Sequence, residues 1–580
     1  MILQALVSYY EALAERGAIA RPGWGRARVQ FALELDDDGG LKAVFPLEAT
    51  NEKGKPIPTY YELPAAVKRT VGIAPNFLWD NAAYLLGLDG KGKPERALKC
   101  FEAAKELHLG LLSDSDAAFA RAICAFFRSW EPGSAAQEPL LADCLDAAGG
   151  GANFTFMYRG AMPDSAPELK RAWQRRYDGA SAEAGEKMRC LVTGEQAVPA
   201  PVHPSIMRVR GAQSSGAALV SFNAPAFCSF EREQNLNAPV SKYAAFAYTT
   251  ALNHLIADTA HTRLVGDTTV VYWAESAGTQ YQDAFGCSLD GDTVTDNDLK
   301  GVMTALAKGE NAYWDALPLK PDNHFYILGL APNAARLSVR FFLSDSFGSF
   351  EKRLNEHYER LEIVRPDFDK EERLPLWKLL RETVNLNSRD KSASPQMAGD
   401  TLRAMLSGGS YPATLYQQTE LRIRAERSIT RGRAAIIKAY LLRNMDENFN
   451  KEALTVELNE KTTYQPYILG RMFSVLEDIQ EKANPGINTT IKDKYFTSAC
   501  ATPAVVFPTL IKLAEKHLRK MDDAGRVWFS KQLQALTALL TESYPAHLTL
   551  SDQGIFQLGY YHQTQKRYEK KKPDNKEEEK

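Results

Sequence analysis

The sequence predicts an α+β fold: a mixed N-terminal α+β region followed by a C-terminal helical bundle. Three observations carry this. Short alternating apolar stretches lie among helical periodicities in the first 385 residues, a polar and proline-terminated stretch runs from Asn385 to Pro395, and almost every later segment has helical spacing. The expected division is an α+β region over 1–385, a linker over 386–396, and a helical bundle over 397–580 with a charged tail from about 566.

Leu3, Leu6, Val7, Tyr10 and Leu13 recur at helical spacing, Gly23 breaks the pattern, and Val29, Phe31, Leu33 and Leu35 alternate as a strand. The turn Asp36-Asp-Asp-Gly-Gly40 returns the chain into a second strand from Leu41 to Leu47, a hairpin. Helical periodicity dominates from Asn76 to Trp130, and Gly149 to Gly151 lead into a short strand from Phe154 to Tyr158. Thr268 to Ala274 reads as a strand, as do Phe325 to Leu330 and Arg336 to Phe342, joined through Pro332-Asn333. Beyond the linker, one stripe is Phe473, Leu476 and Ile479. Leu510, Leu513 and Leu518 form another, and Leu533, Leu536 and Leu540 a third, punctuated by Pro503, Pro508 and Pro545. The run from Lys566 to Lys580 carries too few apolar residues to bury a core and is expected to be solvated.

At 580 residues the chain exceeds what one core supports, which gives roughly two to four domains. Hydrophobic and charged contents of 44% and 24% exclude wholesale disorder and a disulfide scaffold. The seven cysteines are scattered without a close pair, as reduced cytosolic thiols are, and give no zinc framework. No apolar run approaches a membrane span, and Glu11 and Glu15 stand where a leader would be basic and then apolar; a cytoplasmic location without a membrane partner is expected. With a net charge of −2 the whole molecule is no electrostatic trap for nucleic acid, so any such contact must come from local basic stripes.

A search for catalytic chemistry returns little. Gly87-Leu-Asp-Gly-Lys-Gly-Lys93 has the wrong glycine spacing for a phosphate loop and Pro94 where the metal-binding hydroxyl belongs, so it reads as a surface turn. His254 and His261 share a helix face with Asp258 but have no third ligand placed by sequence. Cys190-Leu-Val-Thr-Gly-Glu195 is half of a metal knuckle with the second half missing, which favours structural burial of Cys190. There is no His-Asp nuclease dyad, no HExxH and no nucleophile elbow. No catalytic residue, metal or cofactor is therefore expected.

Binding chemistry is better represented. Gly211 and Gly216 bracket Gln213, Ser214 and Ser215, which can read base edges without net charge, while Arg208 and Arg210 are adjacent for phosphates or a guanine. The alternative is a tightly turned structural loop whose polar groups satisfy one another and the backbone. Lys68 and Arg69 precede Pro75-Asn76-Phe77-Leu78-Trp79-Asp80-Asn81, where Asn76 is either a nucleic-acid contact or an ordinary helix cap. From Leu421 to Arg443, at about 3.6 residues per turn, Arg424, Arg427, Arg431 and Lys438 fall in one arc opposite Ile423, Ile429, Ile436, Ile437 and Tyr440. This basic stripe suits a phosphate backbone; its alternative is a solvated face paired with Glu420 and Glu426.

Several uninterrupted stretches are too specific to be compositional. They are Cys190 to Glu195, Val209-Arg-Gly-Ala-Gln-Ser-Ser-Gly-Ala-Ala-Leu-Val-Ser-Phe-Asn223, Asn237-Ala-Pro-Val240, Leu328-Gly-Leu-Ala-Pro-Asn-Ala-Ala-Arg336, Leu469-Gly-Arg471 and Gln553-Gly-Ile-Phe-Gln-Leu-Gly-Tyr-Tyr-His-Gln563. On these, nearly the whole chain resembles the large subunit of the type I-C CRISPR surveillance complex, Cascade. The resemblance implies a non-catalytic subunit that recognises the protospacer-adjacent motif in duplex DNA while base pairing reads the remaining sequence. Its implied partners are the crRNA-bearing backbone subunits, the crRNA, the double-stranded target and its displaced strand, and a recruited helicase-nuclease. A small subunit resembling the chain's own C-terminal region is also implied, translated from an internal start at Met472 or, as alternatives, Met445 or Met397. Two readings from other classes remain open: a DNA-processing nuclease, and an assembly subunit with no DNA contact of its own.

Overall fold

The computed structural model describes the chain except residues 51–55, 58, 68, 70–71, 91, 182–185, 292–296 and 569–580. It divides into two compact units, Met1–Ser205 with Val220–His254, and Ile206–Leu219 with Leu255–Lys580.

In the first unit the expected N-terminal helix is present as Ile2–Glu15, with Leu6, Tyr10 and Leu13 buried. Four strands form one sheet in the order Leu41–Pro46, Phe31–Leu35, Asn153–Tyr158, Trp79–Asn81. Asp36 closes the hairpin turn by accepting from the backbone N–H groups of Asp38 and Gly40 at 3.0 and 2.7 Å, as Asx turns do. Phe31–Leu35 and Asn153–Tyr158 run parallel, a pairing that needs a long crossover. The crossover carries helices Pro94–Leu112 and Ala118–Ser129, whose Phe101, Phe126 and Phe127 pack with Leu33, Phe154 and Phe156 in one core. Strand Trp79–Asn81 interrupts the helical reading of 76–130: Leu78 turns the backbone at φ +67°, and a helix starts only once Asn81 caps it by accepting from Ala83 N at 3.1 Å.

The second unit is built on an antiparallel sheet in the order Thr262–Val265, Thr268–Ala274, His324–Asn333, Arg336–Ser346. Every residue of Thr268–Ala274 is buried, which explains its continuous β-branched and aromatic run. A single core then passes from Val270, Tyr272, Phe325 and Ile327 through helix Phe347–Leu361 to the C-terminal helices. This corrects the expected linker. Residues 386–396 are a polar connection inside one unit, because helices Leu376–Glu382 and Pro395–Ser407 on either side bury Leu379, Leu380, Met397 and Leu402 in the same core.

Helix Gln465–Ala483 runs through the helical part and is buried without interruption from Pro466 to Ile479, so Phe473, Leu476 and Ile479 belong to a helix covered on every side. It lies against helix Leu550–Tyr568 at two glycines. A Cβ on Gly470 would fall 1.8 Å from the Phe556 carbonyl oxygen, and one on Gly559 would fall 2.2 Å from that of Tyr467. Close backbone approach is thus the physical meaning of Leu469-Gly-Arg471 and Leu558-Gly559. The neighbouring Tyr-Tyr-His-Gln residues have structural work as well. Tyr560 donates to Glu477 (2.6 Å) and Tyr561 to the Val364 carbonyl (2.8 Å), while His562 bonds Tyr467 (2.7 Å) and Gln563 accepts from Arg471 (3.0 Å).

The expected start of the charged tail is helical. Lys566 and Arg567 are still helical, and Arg567 pairs with Asp478 at 2.8 Å and Glu481 at 2.6 Å; residues 569–580 lie outside the described ones. Met472 is fully buried inside Gln465–Ala483, so a product starting there would lack Tyr467, Gly470 and Arg471. Met445, directly after helix Arg431–Asn444, precedes the whole of helix Gln465–Ala483.

Candidate nucleic-acid interface

The polar block expected to read bases forms a closed loop in the second unit. Ile206 and Ala217 bridge as antiparallel partners, N to O at 2.8 and 2.9 Å, and both are buried together with Val209. Between these anchors Gly211 and Gly216 take φ of +81° and +86°, and Gly216 N donates to Gln213 O at 2.9 Å, turning the chain tightly over Gln213, Ser214 and Ser215. Ala218 then pairs with the hairpin of strands His324–Asn333 and Arg336–Ser346. Its N–H donates to Ala335 O at 3.0 Å, and Leu337 N donates to its carbonyl at 3.0 Å. Gly211 passes so near Pro332 that a Cβ would lie 3.1 Å from its ring, placing the two sequence motifs against each other.

The loop is clamped by its backbone and leaves its polar side chains outward. Arg208, Arg210, Gln213, Ser214 and Ser215 are all exposed, and among the described residues the side chains of Gln213, Ser214 and Ser215 make no hydrogen bond within the protein. The loop is tightly turned, as the alternative has it, but the side chains of Gln213, Ser214 and Ser215 are not satisfied by one another or by the backbone.

The second cluster is occupied internally. Arg69 grips both Asp80 oxygens, donates to the Ala74 carbonyl at 2.6 Å and lies over the Tyr84 ring at 4.1 Å. Burial raises the Asp80 carboxyl and the Arg69 fork opposes that rise. Asn76 accepts from Val67 N at 2.9 Å, and its own N–H donates to Asp80 at 2.9 Å. Arg69 and Asn76 therefore brace a turn, neither as an open DNA contact nor, for Asn76, as a helix cap. Lys68 lies outside the described residues.

The basic stripe is also corrected, because it is not one helix. Helix Ala413–Glu426 ends with Arg427 in the left-handed region (φ +51°), and helix Arg431–Asn444 restarts after Thr430 caps it by accepting from Arg433 N at 3.2 Å. The break rotates the second half inward. Arg431 is buried and donates to Asp369 at 2.9 Å and to the carbonyls of Glu371 and Glu372 at 2.6 and 2.9 Å. Lys438 is buried too, donating to the carbonyls of Glu362 and Arg360 at 2.7 and 3.2 Å; burial lowers its ammonium to about 8. Only Arg424, which donates to Gln553 at 2.9 Å, and Arg427 remain exposed.

Two other singled-out groups resolve as structure. Burial alone would raise the Cys190 thiol, but the N–H groups of Ser241 and Thr193 point at its sulfur at 3.3 and 3.5 Å and bring it down to about 7. His261 lies beyond its helix, which ends at Ala257, and bridges Asp258 and Asp283 at 2.7 Å each. Burial opposes its charge, and the two carboxylates outweigh burial and raise it. No metal-binding cluster of three or more His, Cys, Asp or Glu occurs among the described residues, and no described helix is long and apolar enough to cross a membrane. Sequence reasoning missed a groove on the second unit lined by Phe368, Trp377 and Tyr568, three aromatics from separate segments that no periodicity connects.

A polar loop clamped to a sheet hairpin, with the exposed Arg208 and Arg210 beside it, is the candidate site. The family model for CRISPR-associated protein (Cas_Csd1) matches residues 6–568, and the chain belongs to that family. No curated protein matches it.

Proposed function

We infer that this chain is the non-catalytic large subunit of a type I-C surveillance complex and that the 206–217 loop reads the protospacer-adjacent motif in duplex DNA. The observation that carries the reading is the pairing of a fixed backbone with the outward, unbonded side chains of Gln213, Ser214 and Ser215. Gln213 can pair in a bidentate way with an adenine edge, Ser214 and Ser215 tolerate several partners, and Arg208 and Arg210 suit phosphate or guanine. Because both ends of the loop are held by hydrogen bonds, little ordering entropy opposes binding. Guide pairing then supplies the remaining specificity as the R-loop forms, with Arg424 and Arg427 on the backbone of the displaced strand. The crRNA-bearing subunits, a small subunit resembling the C-terminal helices and a recruited helicase-nuclease complete the assembly, and cleavage belongs to the last.

The test is a reconstituted complex carrying Gln213→Ala, Ser214→Ala and Ser215→Ala, titrated on a motif library. Loss of a bidentate contact costs about 1–3 kcal/mol and relaxes the motif preference. Unchanged affinity and an unchanged motif ranking remove the loop from this role. Incubating the purified chain with labelled duplex and magnesium or manganese distinguishes the nuclease reading, since the present one expects intact DNA.

A further inference from the structure

A loop of the first unit, residues 224–237, holds one aromatic ring in solvent on a backbone that disfavours it. Phe230 is 92% exposed and makes no ring contact among the described residues. Phe230 and Glu231 are the central residues of a turn closed by Arg232 N to Ser229 O at 3.1 Å, and both are left-handed, with φ of +54° and +58°. That pattern ordinarily takes Asn-Gly or Gly-Gly, because a bulky side chain is strained there. Gln234 follows at φ +46°.

The turn is fixed by one side chain. Asn237, which opens the Asn237-Ala-Pro-Val240 stretch, accepts from Ser229 N and donates to the carbonyls of Arg232 and Gln234, each at 2.8 Å. A strained backbone persists only where its surroundings over-determine it, and such sites cluster at clamps and switches. Exposed apolar surface recurs along the same loop, with Phe227 and Leu236 at 44% and 39%. Glu231 and Glu233 follow the ring, with Arg232 between them as the loop's single cation; all three are exposed and make no ion pair among the described residues. A ring wedged between base pairs needs cations beside it for the phosphates, and two carboxylates against one guanidinium repel that backbone. The same charges suit an apolar pocket on a protein, rimmed by lysine or arginine.

We propose that Phe230 is a preformed anchor that seats in an apolar, cation-rimmed pocket of a partner protein. It lies in a different unit from the 206–217 loop and plays no part in motif reading, so either role can fail alone.

The experiment places a photoreactive phenylalanine at position 230 of the complex assembled on target DNA, with the recruited helicase-nuclease present, and identifies the adduct by mass spectrometry. An adduct on another protein of the assembly is expected. One on DNA or crRNA, or none at all, overturns the proposal. Phe230→Gly then compares binding of the crosslinked protein with the stability of the full chain. Binding should weaken about tenfold or more, while the thermal midpoint rises or holds, because glycine relieves the left-handed strain. Glu231→Gln with Glu233→Gln should weaken binding too and flatten its salt dependence. Wild-type affinity in Phe230→Gly, or a wild-type salt dependence in the double variant, overturns the proposal, and a lowered midpoint overturns the strain on which it rests.

Discussion

Replacing Arg431 and Lys438 by methionine separates a structural role from a nucleic-acid role for the basic stripe. The Arg431 side chain is 7% exposed and serves Asp369 and two backbone carbonyls. Burial alone would raise the Asp369 carboxyl, and Arg431 holds it below the ordinary carboxylate range. Breaking a buried pair from one side costs about 3–5 kcal/mol. Asp369 keeps 23% of its side chain in water, which places Arg431→Met near the lower figure, about 3 kcal/mol. Lys438→Met leaves two carbonyls without their donor and keeps the apolar stem, for a loss on the order of 2 kcal/mol. Against a total of roughly 5–15 kcal/mol these are large fractions. The assay is urea denaturation of the full chain together with a salt titration of DNA binding by the assembled complex. Both variants should unfold at lower urea and leave the log-log salt slope unchanged. Stability within about 0.5 kcal/mol of wild type, with a slope shallower by about 0.7 per lost cation, refutes the burial account.

Two further predictions concern the second unit. Gly470→Ala drives a methyl to 1.8 Å from the Phe556 carbonyl and should cost at least about 1–3 kcal/mol by thermal denaturation, whereas Gly110→Ala in the first unit, a control at an exposed position of helix Pro94–Leu112 with open space around it, should be neutral or stabilising. Glu351 is fully buried beside the Ser288 hydroxyl (2.8 Å), and burial pushes its carboxyl up from 4.5 to about 8. Between those values the unfolded chain ionises while the folded one keeps its proton, so stability falls as pH rises, by up to about 1.4 kcal/mol per unit. Glu351→Gln should therefore gain on wild type across that window, and denaturation midpoints with a pH-independent gap would contradict it.

Much of the architecture was legible because burial leaves a periodic trace. The run Thr268–Ala274 could only be a covered strand, and the Asp-rich turn with alternating flanks gave the 31–46 hairpin. Gln213, Ser214 and Ser215 were visible as a group because contiguous residues between glycines need only a turn to come together. The stripe failed because periodicity assumed one helix, although Thr430 was a capping residue in plain view, and because the groups that bury Arg431 and Lys438 come from 360–372, about sixty to eighty positions earlier. The core joining the two sides of the polar 386–396 stretch was hidden for another reason: a short polar, proline-terminated run has the composition of a linker even where the helices flanking it share one core. Phe368, Trp377 and Tyr568 carry no pattern at all; only the fold assembles them.

The most direct measurement of the central claim is site-specific crosslinking from position 213. A photoreactive residue replaces Gln213 in the assembled complex, which is irradiated on target DNA with labelled strands, and the adduct is mapped by sequencing and mass spectrometry. The loop's clamped ends and outward side chain predict an adduct on the bases of the protospacer-adjacent motif, lost when the motif is scrambled. An adduct on the crRNA or a neighbouring subunit, insensitive to the motif, would show that this loop does not read DNA.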